Sequence, residues 1–175
     1  MKNQSFFTKL FASISLTAAA VWIGSYLVKI FLIYNLFEPV NLALKERYLL
    51  ADLNNVLFIL LPAFLTAFIA YLIFVIAFIV FLTFSKLGLK QNGWLFISVL
   101  IVLITFPFEL YLMLIDYKII NLLLLKSLNP DAILQLIRDR ITTLSSFPII
   151  ALLSYISILF LIIFKPLTVK NNDTK

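Results

Sequence analysis

Four long apolar runs constrain this chain more than any other feature of its sequence. They cover residues 10–37, 56–84, 94–115 and 141–164. A helix needs about 20 mostly apolar residues to cross the hydrocarbon core of a bilayer, and each run reaches that length. Only helices and closed barrels satisfy their backbone polar groups in lipid, and barrel strands are much shorter than these runs. We therefore expect an all-α integral membrane protein, a single-domain bundle of four transmembrane helices.

The composition supports lipid as the main solvent of this chain. Of its 175 residues, 63% are hydrophobic and 13% are charged. Soluble domains have roughly half apolar residues and about a quarter charged ones. A soluble core of this length cannot hide such an excess of apolar side chains, so much of the surface is expected to face the lipid bilayer.

The sequence contains no Cys and no His. This removes thiolate nucleophiles, iron–sulfur ligation and the usual zinc and haem ligand sets. It also removes the Ser-His-Asp arrangement and its Cys-His variants. We expect no metal, no cofactor and no enzymatic activity.

The first run has an alternative interpretation as a secretory signal peptide. Lys2 and Lys9 precede the run, and Ala18 to Ala20 could form a small-residue cleavage site. The apolar run nevertheless continues from Val21 to Phe37 without a break. Its length favours a retained transmembrane helix.

The charged residues predict the orientation of the spans. One side carries almost only cations, whereas the other side mixes cations with acids. The cationic side holds Lys2, Lys9, Lys86, Lys90, Lys165, Lys170 and Lys175, with Asp173 as its one acid. The positive-inside rule places this side, and with it both termini, in the cytoplasm of a cell whose plasma (inner) membrane holds the chain. The net charge of +6 is then mainly a topology signal, and we expect no nucleic-acid partner.

The two connections on the other side are longer and partly apolar. Residues 40–51 predict a short amphipathic helix, and Leu122 to Leu125 are too apolar for a solvated loop. Asn129-Pro130-Asp131 is typical of a helix start, and a helix from Asp131 is predicted to run straight into the fourth span. We expect these external segments to lie at the membrane interface or to cover a partner.

The third span carries a polar stripe. Ser98, Thr105, Glu109 and Asp116 fall within about 40° of one another on a helical wheel. Polar residues within spans face the bundle interior or a wet cavity. The stripe is therefore predicted to point inward.

One cation and one acid belong to neither flank, and these are Lys29 and Glu109. Counting residues from the ends of their spans at 1.5 Å per residue places both at a similar depth. We predict an ion pair between them, either as a structural clamp or as part of a functional polar site. The alternative is no pair, with Lys29 reaching the membrane surface along its stem and Glu109 neutral in lipid.

Prolines and hydroxyl groups occur at the same predicted level. Pro62, Pro107 and Pro148 lie in the outer parts of their spans, and the fourth span begins with several hydroxyl residues. These features suggest an outward polar vestibule. The candidate intramembrane site comprises Lys29, Glu109, Asp116, Thr105, Ser145 and Ser146.

Two helices carry small residues at packing distances. Ser13, Thr17, Ala20 and Gly24 lie on one face of the first span, and Ala63, Ala67, Ala70 and Ala77 lie on one face of the second. Such faces let helix backbones approach closely. We interpret them as packing surfaces, with contacts between copies of the chain as the alternative.

Two functional hypotheses follow. The first is a non-enzymatic structural or accessory protein whose external segments bind another membrane protein or a second copy of the chain. The second is a protein that binds or translocates a small solute, a lipid or an ion through the vestibule around Lys29 and Glu109. The sequence contains no motif that names an activity.

Overall fold

The computed structural model describes residues 5–85, 87–125 and 129–168. Within these residues the chain is all-helical and has no strand. The helices are α1 (Phe6–Leu36), α2 (Glu46–Leu49), α3 (Leu53–Phe58), α4 (Leu61–Phe84), α5 (Gly93–Leu124), α6 (Pro130–Thr142) and α7 (Phe147–Phe164). Four helical stretches are long and apolar enough to cross a membrane, namely α1, α3 read together with α4, α5 and α7. The predicted number of candidate spans is thereby confirmed.

The third span is longer than the sequence predicted. The sequence predicts that it ends at residue 115 and is followed by a partly apolar connection, but α5 continues to Leu124. Ile119, Ile120 and Leu123 are buried in an apolar cluster on one face of this extension. Burial of that face, rather than the thickness of a bilayer, sets the length of the helix.

The predicted helix from Asp131 exists, but it does not run into the fourth span. The Asn129 side chain accepts a hydrogen bond from the Ala132 amide at 3.2 Å and caps α6, which ends at Thr142. A turn then includes Leu144 in the left-handed region, with φ of 54°, and α7 begins at Phe147. Pro148 explains the break, because it has no N–H for the Leu144 carbonyl and its ring would clash with that carbonyl in a continuous helix.

The connection between α1 and α3 is also less helical than predicted. Only Glu46–Leu49 form a helical turn within residues 40–51. The preceding segment folds back instead: Phe37 and Leu44 form an isolated bridge, and Leu42 has φ of 52°. Asn41 stabilises this turn by accepting a hydrogen bond from the Ala43 amide at 3.0 Å.

The amphipathic helix α6 covers one end of the bundle. Its apolar face buries Ile133, Leu134 and Ile137 against residues of α1, α3 and α5. A second cluster, rich in aromatic residues such as Trp22, Tyr71 and Tyr155, fills the space among α1, α4, α5 and α7. The apolar face of α6, predicted to lie at the membrane interface or against a partner, thus packs against the core of the chain itself.

The two small-residue faces differ in burial. Ala63, Ala67, Ala70 and Ala77 of α4 are all buried. The corresponding face of α1 is exposed; we name it the α1 seam, and it comprises Ser13, Thr17, Ala20 and Gly24. A Cβ added at Gly24 would meet nothing within 4 Å. The core of the bundle is instead faced by other residues of α1, which include Ala18, Trp22 and Tyr26. The α1 seam is therefore not buried among the described helices, and its alternative interpretation, contacts between copies of the chain, stays a prediction.

Candidate functional site

Five polar side chains meet inside the bundle at the end that α6 covers. Tyr26 and Lys29 come from α1, Glu109 and Asp116 from α5, and Arg140 from α6. Each is 4% exposed or less. We refer to these five residues as the ion cluster. Because charged groups are costly to bury alone, their mutual contacts determine whether the site is stable.

Asp116 is the centre of the ion cluster. Its Oδ2 atom lies 2.6 Å from Lys29 Nζ, and its Oδ1 atom lies 3.0 Å from Arg140 Nε. One carboxylate therefore accepts a charge-assisted hydrogen bond on each oxygen. The contacts link α1, α5 and α6 through a single side chain.

The predicted ion pair between Lys29 and Glu109 is replaced by this arrangement. Lys29 pairs with Asp116, and Glu109 Oε1 accepts a hydrogen bond from the Tyr26 hydroxyl at 3.4 Å. Glu109 and Asp116 lie seven residues apart on one helix face. Counting depth along the helices does not show which of them the Lys29 ammonium group contacts, because the long Lys side chain extends far from its own backbone. Arg140 also approaches at the Asp116 end of the stripe.

Sequence reasoning misses Arg140, because this residue directly precedes the fourth apolar run and counts among the mixed charges on the side opposite the Lys-rich one. Its signal lay in the helical spacing of α6, where Ile133, Ile137 and Arg140 share one face. Arg140 Nη2 also donates a hydrogen bond to the Tyr26 hydroxyl at 3.2 Å. Burial lowers the pKa of Arg140, but the Asp116 carboxylate and Tyr26 raise that pKa by more, so the guanidinium stays charged.

Aromatic rings complete the surroundings of the cations. Lys29 Nζ lies 4.6 Å from the centroid of the Tyr26 ring and 5.4 Å from that of Phe64. The Arg140 guanidinium lies 5.8 Å from the Tyr26 centroid. Ring faces attract cations, and the attraction grows where water is excluded.

Thr105 belongs to a separate chain of hydroxyl groups. The Tyr155 hydroxyl is hydrogen-bonded to Thr105 Oγ1 at 2.9 Å and to the Tyr71 hydroxyl at 3.0 Å. These contacts connect α4, α5 and α7. All four residues of the predicted polar stripe are buried, but Ser98 and Thr105 also donate to backbone carbonyls of their own helix.

The predicted serines lie outside the ion cluster. Ser145 and Ser146 are exposed in the turn between α6 and α7. Ser145 lines a cleft of about 120 Å³ together with Lys29 and Arg140. Pro62 and Pro107 are exposed as well, so the prolines do not line a common vestibule with Glu109.

The chemistry open to the ion cluster is limited by its contacts. Both Asp116 oxygens are engaged by cations, so the carboxylate is poorly placed to accept a proton. No fully buried side-chain nitrogen or oxygen among the described residues lacks a hydrogen-bond partner. Within the same part of the chain, no group of three or more acidic, His or Cys residues could hold a metal ion.

Comparison with known proteins gives no match. No family model matches the sequence, and no curated protein and no solved structure shows significant similarity to the chain.

Proposed function

We propose that this chain is a non-enzymatic, multi-pass membrane protein with a structural or accessory role. In this proposal four helices cross the plasma (inner) membrane, both termini lie in the cytoplasm, and α6 covers the outer end of the bundle. The distribution of cations supports the orientation, because the connection between α4 and α5 and the chain ends carry almost only Lys residues.

The observation that carries the proposal is the placement of Asp116 between Lys29 and Arg140. The three ionised groups hold one another across α1, α5 and α6 at 2.6 Å and 3.0 Å. Our hypothesis for this protein is that these buried ionic contacts specify one arrangement of the helices more than they add net stability. We infer that the ion cluster fixes α6 in one position on the bundle.

A fixed α6 would present a surface of constant shape to a partner. Its apolar face is buried, and its outward face carries Asp131, Gln135, Arg138 and Asp139. Mixed charges on an exposed surface favour selection of a partner by complementary charge. The proposed partner is another membrane protein, with a second copy of the chain as the alternative.

The second functional hypothesis is binding or translocation of a solute, a lipid or an ion through a vestibule at Lys29 and Glu109. Lys29 contacts Asp116, and Glu109 contacts Tyr26. These contacts favour a closed site over a path for a solute. One observation supports the binding half of that hypothesis, namely the cleft that Lys29 and Arg140 line with Ser145.

Crosslinking in native membranes tests the accessory role. Photo-reactive residues at the exposed positions Gln135 and Asp139 should capture a discrete partner, whereas a matched probe at Gln91, on the opposite end of the bundle, should not. Equal capture from all three positions would contradict the proposal. So would solute flux through reconstituted vesicles that Glu109→Gln abolishes while the protein remains folded.

A further inference from the structure

A cleft opens beside the ion cluster, between α1 and the start of α7. Its volume is about 120 Å³, and its walls include Lys29, Tyr34, Arg140, Ser145, Pro148 and Ile149. A water molecule takes up about 30 Å³ in the liquid, so the cleft is large enough for a group of several non-hydrogen atoms. A tetrahedral oxyanion is such a group.

The cleft wall is mostly apolar, and its two charged residues are both cations. Lys29 and Arg140 both line it, whereas neither Asp116 nor Glu109 does. The other polar groups on the wall are the hydroxyls of Ser145 and Tyr34, which donate hydrogen bonds as well as accept them. The wall therefore suits an anion and offers no carboxylate to a cationic group.

The two cations have donors to spare. Hydrogen bonds between described side chains use one N–H of Lys29, to Asp116, and two of Arg140, to Asp116 and Tyr26. An ammonium group has three N–H donors and a guanidinium group has five. Phosphate oxygens are strong acceptors and match the planar Arg donors well.

The level of the cleft matches the edge of the hydrocarbon core. Pro148 and Ile149 lie in the first turn of α7, whose 18 residues are about as long as the hydrocarbon core is thick. Lys29 lies seven residues before the end of α1, about 10 Å inward from it. Tyr34 and Ile149 at the cleft are half or more exposed, so an apolar chain can lie beside the mouth.

We propose that this cleft binds the phosphate of an anionic membrane phospholipid, with Lys29, Arg140 and Ser145 holding the headgroup and the acyl chains lying along α1 and α7. A lipid with a choline or ethanolamine headgroup fits less well, because its cation would approach Lys29 and Arg140. The proposal rests on the membrane placement proposed above, but it does not depend on the accessory role.

A pair of neighbouring substitutions tests the cleft without touching the ion cluster. Ser145→Glu places a tethered carboxylate where the phosphate would lie. Ser146→Glu adds the same charge one residue away, at a position that does not line the cleft and whose side chain makes no capping hydrogen bond. The full chain, purified in neutral detergent, is titrated with phosphatidylglycerol, phosphatidylcholine or inorganic phosphate, and bound lipid is counted by native mass spectrometry.

We expect phosphatidylglycerol to bind the wild type at least about tenfold more tightly than phosphatidylcholine does. Ser145→Glu should remove most of this preference, and Ser146→Glu should keep it. Equal binding of the two lipids, or unchanged preference in Ser145→Glu, would overturn the inference. Inorganic phosphate that binds as tightly as phosphatidylglycerol would also overturn it, in favour of a soluble anion. An inserted, folded chain without lipid preference leaves the accessory proposal standing.

Discussion

Asp116 differs from the other charged residues of the ion cluster because it contacts two residues of opposite charge. Removal of Lys29 or Arg140 leaves one opposite charge in contact with it, but removal of Asp116 leaves two cations facing each other without an anion between them. Glu109 has a single, longer contact, with the Tyr26 hydroxyl. The consequences of neutralising these groups should differ accordingly.

Neutralising the two acids with isosteric amides should separate their roles. Asp116→Asn leaves Lys29 and Arg140 buried without their carboxylate and should destabilise the protein by about 3–5 kcal/mol. Glu109→Gln keeps an oxygen that can accept from Tyr26 and should cost less than about 1 kcal/mol. Unfolding of the detergent-solubilised protein measures both. A Glu109→Gln loss equal to that of Asp116→Asn would contradict the central position of Asp116.

Removing Lys29 should be tolerated better than removing its partner. Lys29→Met keeps the contact between Arg140 and Asp116 and fills the space with an apolar side chain of similar length. We therefore expect a smaller loss of unfolding free energy than in Asp116→Asn. The double variant leaves one unpaired cation instead of two and should be more stable than Asp116→Asn alone. Additive losses in the double variant would show that Lys29 and Asp116 are not coupled.

At the scale of elements, the close approach of the last described residues to the start of α5 depends on a glycine. The Gly93 amide donates a hydrogen bond to the Leu167 carbonyl at 3.0 Å, and Asn92 and Thr168 form an isolated bridge. A Cβ at Gly93 would lie 2.6 Å from Leu167 Cβ and 3.1 Å from its carbonyl oxygen. Only the absence of a side chain allows this contact.

Substitutions at Gly93 and Gly24 should therefore differ in their effect on the segment around Leu167. Gly93→Ala should displace the segment around Leu167 from α5 and increase its cleavage in limited proteolysis. Gly24→Ala is the matched control, because its Cβ meets nothing within 4 Å and Ala favours a helix by about 1 kcal/mol over Gly. Unchanged cleavage in Gly93→Ala would contradict the contact.

The sequence predicted the number of long helices because apolar length alone determines a candidate span. It did not predict their ends, which depend on contacts made elsewhere: α5 continues because Ile119 and Leu123 are buried, and α7 starts late because of Pro148. Within the site, helical spacing predicted a buried stripe that includes Asp116. The partners of that acid depend on how α6 folds back over the bundle, which no local pattern specifies.

At the scale of the whole molecule, the two ends of the bundle differ in charge and in shape. The end that includes α6 has cations and acids together and an ordered cap. The opposite end has the short connection between α4 and α5, and its charged residues within the described part of the chain are Lys9, Lys90 and Lys165. Short loops rich in Lys or Arg are retained in the cytoplasm during insertion, so this asymmetry is the physical basis of the proposed orientation.

Cysteine labelling tests that orientation directly, because the chain contains no Cys of its own. Val40→Cys lies at a position that is 97% exposed near α6, and Lys90→Cys lies in the exposed connection between α4 and α5. In intact cells a membrane-impermeant maleimide should label Val40→Cys at once and Lys90→Cys only after permeabilisation. Ala67→Cys, which is buried in α4, should stay unlabelled in both states unless the protein unfolds. The reverse order of labelling would place α6 in the cytoplasm, and equal labelling of Val40→Cys and Lys90→Cys in intact cells would show that the Lys excess does not select one orientation.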